Sequence, residues 1–173
     1  MDLLVAADGV ARWGGQLLRC ALGRSGIRLA KREGDGATPA GAWPMRRALY
    51  RPDREKPPRT RLPLRPLSAG DGWCDAPEDP AYNWPIGLPY PAHAESLWRE
   101  DGIYDLLVVL GYNDDPVLPG LGSAIFLHLA RPDFAPTEGC VALARADLLL
   151  VLAQADTTSR VILALGAGNG APP

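Results

Sequence analysis

The sequence predicts a mainly β protein with minor α content, an α+β fold, on three observations. Nineteen Gly and eighteen Pro among 173 residues call for many turns and ordered loops rather than a helical bundle. Leu106–Leu110 is apolar at every position, as a strand buried on both faces requires. One long stretch, Arg145–Ala155, carries a helical period.

Taken in order, Leu3–Ala7, Gln16–Leu22 and Gly26–Lys31 read as short strands of a β-meander, joined by turns at Asp8-Gly9, Gly14-Gly15 and Arg24-Ser25-Gly26. Cys20 falls inside the second and suits core packing. Arg32–Met45 is punctuated by Gly and Pro and reads as a rigid, exposed loop. Its Gly34 and Gly36 lack the following helix and Lys-Ser/Thr pair of a phosphate loop.

Arg46–Pro66 is rich in Arg and Pro. It reads either as a solvated extended loop or as a cationic rim for a carboxylate-bearing polymer. Ala69–Ala92 is irregular and aromatic, with Trp73, Cys74, Tyr82, Asn83, Trp84 and Tyr90; it suits a small satellite core or a cleft wall. Cys74 reads as a surface thiol, and His93 as a surface residue opening a short helix, His93–Arg99.

Tyr104–Gly111 and Ala124–Ala130 are the two central strands. The second puts Ala124, Phe126, His128 and Ala130 on one face and Ile125, Leu127 and Leu129 on the other. Tyr112–Pro116 is a polar end to the first. After a Pro-punctuated loop, Arg131–Glu138, come Gly139 and Cys140, read as a tight turn directly ahead of a helix. In that helix Ala146, Leu149, Leu150, Leu152 and Ala153 supply the apolar stripe, and Asp147 suits the N-terminal dipole. Arg160–Leu165 is a last strand, and Gly166–Pro173 a frayed tail on a single domain spanning 1–173.

A net charge of −2 gives no case for nucleic-acid binding. Three cysteines leave at least one unpaired; with only His93 and His128, no metal-ligand spacing appears. No segment is long and apolar enough to span a membrane. Met1–Val10 lacks the basic and apolar regions of a leader. That leaves cytosolic residence, export after removal of a leader, or export by a route the sequence does not display.

The chemistry concentrates at His128 and Cys140. Each alone has a bland reading, a satisfied core histidine and a small buried hydrophobe. Together they suit a nucleophilic thiol with an imidazole base. Gly139 permits a tight approach, a helix N-terminus would favour thiolate, and the N–H groups of 139–141 suit an oxyanion.

His128, followed by Thr137-Glu138-Gly139-Cys140-Val141, resembles the active-site signature of the YkuD-type L,D-transpeptidases. Upstream, Gly36-Ala37-Thr38-Pro39-Ala40-Gly41-Ala42-Trp43 is similar to that family's Thr-Pro loop. The resemblance spans Leu3 to Leu165. It implies a mixed β-sandwich with one helix after the catalytic Cys and long capping loops. It also implies a monomeric periplasmic enzyme of cell-wall biogenesis and cell shape that acts on peptidoglycan stem peptides and needs no cofactor or metal.

By that resemblance Cys140 forms a thioester with a stem-peptide carbonyl at an L–D junction. His128 shuttles the proton, and the backbone of Gly139 and Cys140 holds the oxyanion. A diaminopimelate side-chain amine then accepts the acyl group; water as acceptor would make a carboxypeptidase or endopeptidase. Many family members are acylated by carbapenems. A non-catalytic peptidoglycan-binding module is the reading from another class.

The motif departs from the usual pattern. Glu138 stands where a second His is usual, Ala142 where Arg or Asn is usual, and the His-to-Cys spacing is short. These departures resemble a proteobacterial branch that joins L-alanine of one stem to diaminopimelate of the next, as against the diaminopimelate-donor branch. An altered donor pocket is then expected from Thr137, Glu138, Arg131, Tyr112, Asn113, Tyr82, Asn83 and Trp84. Glu138 would orient His128, bind an ammonium, or stay a solvated carboxylate.

Overall fold

A ring of β-strands surrounds an aliphatic interior in the computed structural model, which describes residues 1–165. The chain runs β1 (Leu3–Val5), β2 (Val10–Trp13), β3 (Gln16–Ala21), β4 (Ile27–Arg28), β5 (Thr38–Pro39), β6 (Gly41–Tyr50), β7 (Leu64–Pro66), β8 (Asp71–Cys74), β9 (Pro85–Gly87), β10 (Ala94–Ser96), β11 (Leu106–Leu110), β12 (Phe126–Leu129), β13 (Val141–Leu143), α1 (Arg145–Gln154) and β14 (Arg160–Leu163). The strand order is β11-β12-β13-β3-β2-β1-β14-β6-β7, and β6 also pairs with β11. The two layers of a sandwich are therefore joined at both ends, by β3 and by β6. The ten residues of β6 allow this: Gly41–Pro44 pair with β14, and Met45–Tyr50 with β11. The mainly β fold with one helix is the architecture the sequence predicts.

The central strands alternate between two packed faces. Leu106, Val108, Leu110, Leu127, Leu129, Val141 and Leu143 point into the ring and meet Leu148, Val151 and Leu152 of α1. Leu107, Val109, Phe126 and Cys140 point outward, under Trp73, Leu97 and Tyr104. The β10-β8-β9 sheet covers that outer face. Among the described residues no helix is long and apolar enough to cross a membrane.

Several local expectations are corrected. Val10–Trp13 is a strand the sequence hides, because two Gly-containing turns leave it only four residues. Arg46–Pro66 is only partly loop: its first residues complete β6 and its last three are β7. Part of its charge is paired locally, Arg46 with Asp114, Arg54 with Glu100 and Arg65 with Asp71, while Arg47, Lys56, Arg59 and Arg61 form no ion pair among the described residues. Arg51 is buried, its guanidinium 3.6 Å from the Trp98 ring centroid.

Ala69–Ala92 carries β8 and β9, with Cys74 buried rather than at the surface. His93–Arg99 is not helical, because Ala94–Ser96 is claimed by the ladder with β8. The Thr-Pro loop is packed rather than exposed: Gly36, Ala37, Thr38 and Pro39 are all buried, and the Thr38 hydroxyl accepts the Gly23 N–H at 2.8 Å. In α1 the buried positions are Leu148, Val151 and Leu152, whereas Ala146 and Ala153 face solvent. The ring presents its aliphatic interior to the larger side chains of the helix. The tail expected at Gly166–Pro173 lies outside the described residues.

Candidate active site

Parallel pairing of β12 with β13 builds the site. The register sets His128 beside Ala142 and Leu127 beside Val141, so Cys140, one residue before β13, emerges diagonal to His128 on the same outer face. Both line one cleft of about 480 Å³. The expected helix N-terminus is absent at the sulfur. Val141–Leu143 form a strand first and α1 begins only at Arg145. The dipole argument for a thiolate therefore fails. The apolar Val-Ala-Leu run is drawn into the sheet by its ladders with β12 and β3.

Gly139 is required where it stands. Its φ of +142° is a conformation other residues rarely adopt, and an added Cβ would lie 2.8 Å from the Ala37 carbonyl oxygen. The Thr-Pro loop and the Gly-Cys turn thus touch. Thr137 fixes the same turn, its hydroxyl donating to the Cys140 carbonyl at 2.7 Å and accepting the Gly139 N–H at 3.1 Å. Gly139 N–H is thereby occupied, while Cys140 N–H has no partner among the described residues and stays free for an incoming oxygen.

Cys140 is buried, 8% exposed as a residue. Its Sγ accepts the Phe126 N–H and donates to the Ala124 carbonyl, both at 3.3 Å. Ala124 holds φ +52° to offer that carbonyl, and its own N–H is tied to Asn83 Oδ1 at 3.1 Å. No hydrogen bond joins Sγ to the imidazole among the described residues. Burial pushes the thiol up to about 12; the Glu95 charge adds to this, and the Phe126 N–H, Lys31 and the Tyr104 hydroxyl oppose it.

His128 Nδ1 lies 2.9 Å from the Leu129 carbonyl. A carbonyl only accepts, so Nδ1 carries the hydrogen and Nε2 is the basic nitrogen. Nε2 makes no hydrogen bond, yet no buried side-chain nitrogen or oxygen lacks a partner among the described residues, so Nε2 opens to the cleft. Burial lowers the imidazole to about 4; the Leu129 carbonyl opposes this and Arg99 reinforces it. The ring stands edge-on to Tyr104, centroids 5.2 Å apart. Burial thus disfavours both charged forms, the thiolate and the imidazolium.

Of the other sequence candidates, Thr137, Glu138 and Arg131 line the cleft. Glu138 does not reach His128; it pairs with Arg24 at 3.0 Å on the exposed rim. Arg131 meets Asp101 at 3.3 Å. Tyr82, Asn83, Tyr112 and Asn113 stand behind the wall. Asn83 Nδ2 donates to the carbonyls of Tyr112 and Asn113, Asn113 Nδ2 donates to the Gly122 carbonyl, and the Tyr82 hydroxyl accepts the Gly122 N–H. They brace the segment that carries Ala124. Trp84 is half exposed and away from the cleft.

Sequence reasoning missed Lys31, Glu33, Glu95, Arg99 and Tyr104, all of which line the cleft. Tyr104 donates to Glu95 at 2.8 Å; Arg99 lies 3.5 Å from Glu95 and 2.7 Å from Asp101. No local motif marks these residues. A tyrosine ahead of an apolar strand was the only hint. His93 is at the surface as expected, but it also lines the cleft, paired with Asp75.

A cysteine and an oriented imidazole thus open on one cleft, above a parallel strand pair. Residues 2–163 match the YkuD family, the L,D-transpeptidase catalytic domain, and the chain belongs to that family. Two solved structures are similar, both of the helical cell shape determining protein Pgp2 from Campylobacter jejuni. The K307A mutant has 15% identity and a TM-score of 0.47, over 96% of this chain and 47% of that one. The other Pgp2 structure has 14% identity and a TM-score of 0.46, over 96% and 48%. The chain thus spans about half the length of the solved structures it matches. No curated protein matches the sequence.

Proposed function

We propose that the chain is the catalytic unit of a peptidoglycan L,D-transpeptidase working in the periplasm. The observation carrying this reading is the free Nε2 of His128 opening on the same cleft as Cys140. In the first half-reaction the thiol proton passes to Nε2 as sulfur bonds to a stem-peptide carbonyl carbon. The oxyanion takes the Cys140 N–H. Collapse breaks the carbon–nitrogen bond, and Nε2–H returns the proton to the leaving amine. In the second, the diaminopimelate side-chain amine attacks the thioester, loses its proton to Nε2, and the sulfur leaves and regains a proton.

An imidazole held near 4 stays a free base across the physiological range, and the thiol ionises only in concert with attack. We assign L-alanine as the donor, against the diaminopimelate-donor alternative. Ala142 lies in register with His128 and fills little of the cleft, and Glu138 is turned to Arg24. The donor side is therefore shaped differently from one lined by larger polar residues.

The buried, high-pKa thiol supports a second reading, a binding module that holds stem peptides without cleaving them. Purified muropeptides separate the readings. Crosslinked dimers support transfer, trimmed monomers a hydrolase, and unchanged muropeptides that remain bound a binding module. Dimers with a diaminopimelate-donor bond would reject the L-alanine assignment alone.

A further inference from the structure

Lys31 is one of two charged residues among the described ones that are buried with a basic side chain; it is 6% exposed, and the other, Arg51, lies outside the cleft. Burying an ammonium is costly unless it is paired and hydrogen-bonded. Its Nζ donates to Asp35 Oδ1 at 2.7 Å and to the Arg32 carbonyl at 3.2 Å. A lysine ammonium has three hydrogens, so one remains. Lys31 lines the cleft, and its Nζ lies 3.5 Å from where a Cβ on Gly139 would stand. The uncommitted part of the ammonium is thus set against the Gly139–Cys140 turn.

We propose that Lys31 is a positioning residue that holds a fixed positive charge behind the Cys140 turn and stabilises negative charge on the sulfur during attack, with Asp35 holding the lysine in place. The role rests on the transferase reading for its purpose, not for its physics. Burial disfavours the imidazolium at His128, so the active pair is poorly placed to supply a cation. The N-terminus of α1 is five residues past the sulfur. Lys31 supplies what neither does. The charged and titratable groups lining the cleft with Cys140 are Lys31, Glu33, Asp75, His93, Glu95, Arg99, Tyr104, His128, Arg131 and Glu138, of which Glu95, Lys31 and Tyr104 weigh most on the thiol. Glu95 opposes the effect; Arg99 and Arg131 are both committed to Asp101, at 2.7 and 3.3 Å, which leaves Lys31 the basic side chain set against the Gly139–Cys140 turn.

The test is the pH profile of Cys140 alkylation by iodoacetamide, with the modified residue located by peptide mass. Lys31→Met is expected to move the profile up by about one pH unit, slowing alkylation at neutral pH about tenfold. Asp35→Asn leaves the ammonium without its counter-charge and is expected to move the profile down. A merely structural role for the ion pair would move both variants the same way. An unchanged Lys31→Met profile, or the same direction in both, overturns the proposal. Should Lys31→Met fail to fold, Asp35→Asn decides alone: a downward shift supports the proposal, and no shift or an upward one rejects it. Wild-type protein that stem peptides leave unacylated counts against the transferase reading only, since iodoacetamide reads the thiol directly.

Discussion

The two faces of β11, β12 and β13 are built from the same three strands and do opposite work. The inward face is aliphatic throughout, with Leu106, Val108, Leu127, Val141 and Leu143 closed by α1. The outward face mixes Phe126, Tyr104 and Trp73 with Cys140 and His128. The Trp73–Phe126, Tyr104–Phe126 and Tyr104–His128 rings meet edge-on. Aliphatic packing leaves no polar atom to satisfy and contributes stability. Edge-on aromatics bury the thiol and the imidazole deeply enough to disfavour the charged form of each. One strand pair thus serves as an anchor on one side and a chemical surface on the other.

The sharpest break between the faces is at the sulfur. Cys140→Ala should abolish thioester and crosslink formation, a loss on the order of 10³-fold or more. Unfolding free energy should fall by only about 1–2 kcal/mol, for the lost Phe126 and Ala124 hydrogen bonds. Denaturant melts beside product assays check both; retained crosslinking would reject the assignment.

Leu148→Ala on the inward face should show the reverse pattern. Leu148 is fully buried, and its truncation should cost about 2–5 kcal/mol. Alkylation of Cys140 in the folded fraction should not change. A matching drop in alkylation rate would mean the faces are coupled.

His128 links the two properties through pH. Its folded value near 4 lies below the ordinary 6.5, so the unfolded chain binds more protons between those values. Stability therefore rises with pH across that window and is lost as pH falls from 6.5 toward 4, by up to about 3 kcal/mol. His128→Gln should flatten that part of the stability profile and remove most of the transfer rate. An unaltered pH profile of stability would show that the imidazole is not buried as described.

The smallest effects belong outside both faces. Cys74→Ala and Cys20→Ala should leave crosslinking unchanged, since neither lines the Cys140 cleft. Arg24→Ala breaks the exposed pair with Glu138 and should cost less than about 1 kcal/mol. A tenfold change in donor binding there would instead make Glu138 a substrate contact.

The sequence made the central strands legible because their alternation is long and strict: Phe126 and His128 against Leu127 and Leu129. It misplaced what depends on partners. Val141–Leu143 runs apolar up to α1, so pattern alone set the Gly139–Cys140 turn directly ahead of the helix and missed the strand between, which the ladder with β12 defines. Ala42–Arg47 hides β6 behind Pro44 and two arginines. The cleft wall was least legible. Lys31, Glu95 and Tyr104 are scattered along the chain, and only the pairing of β10 with β8 and the closure of the Thr-Pro loop onto Gly139 bring them to Cys140.

The account turns on Cys140 carrying an acyl group within this cleft. Intact-protein mass spectrometry after mixing with a purified muropeptide donor, followed by peptide mapping, measures it directly. The account predicts a single acyl adduct on Cys140, lost when an amine acceptor is added and replaced by a crosslinked dimer. An unmodified protein with donor unchanged, or an adduct on Cys20 or Cys74, would contradict it.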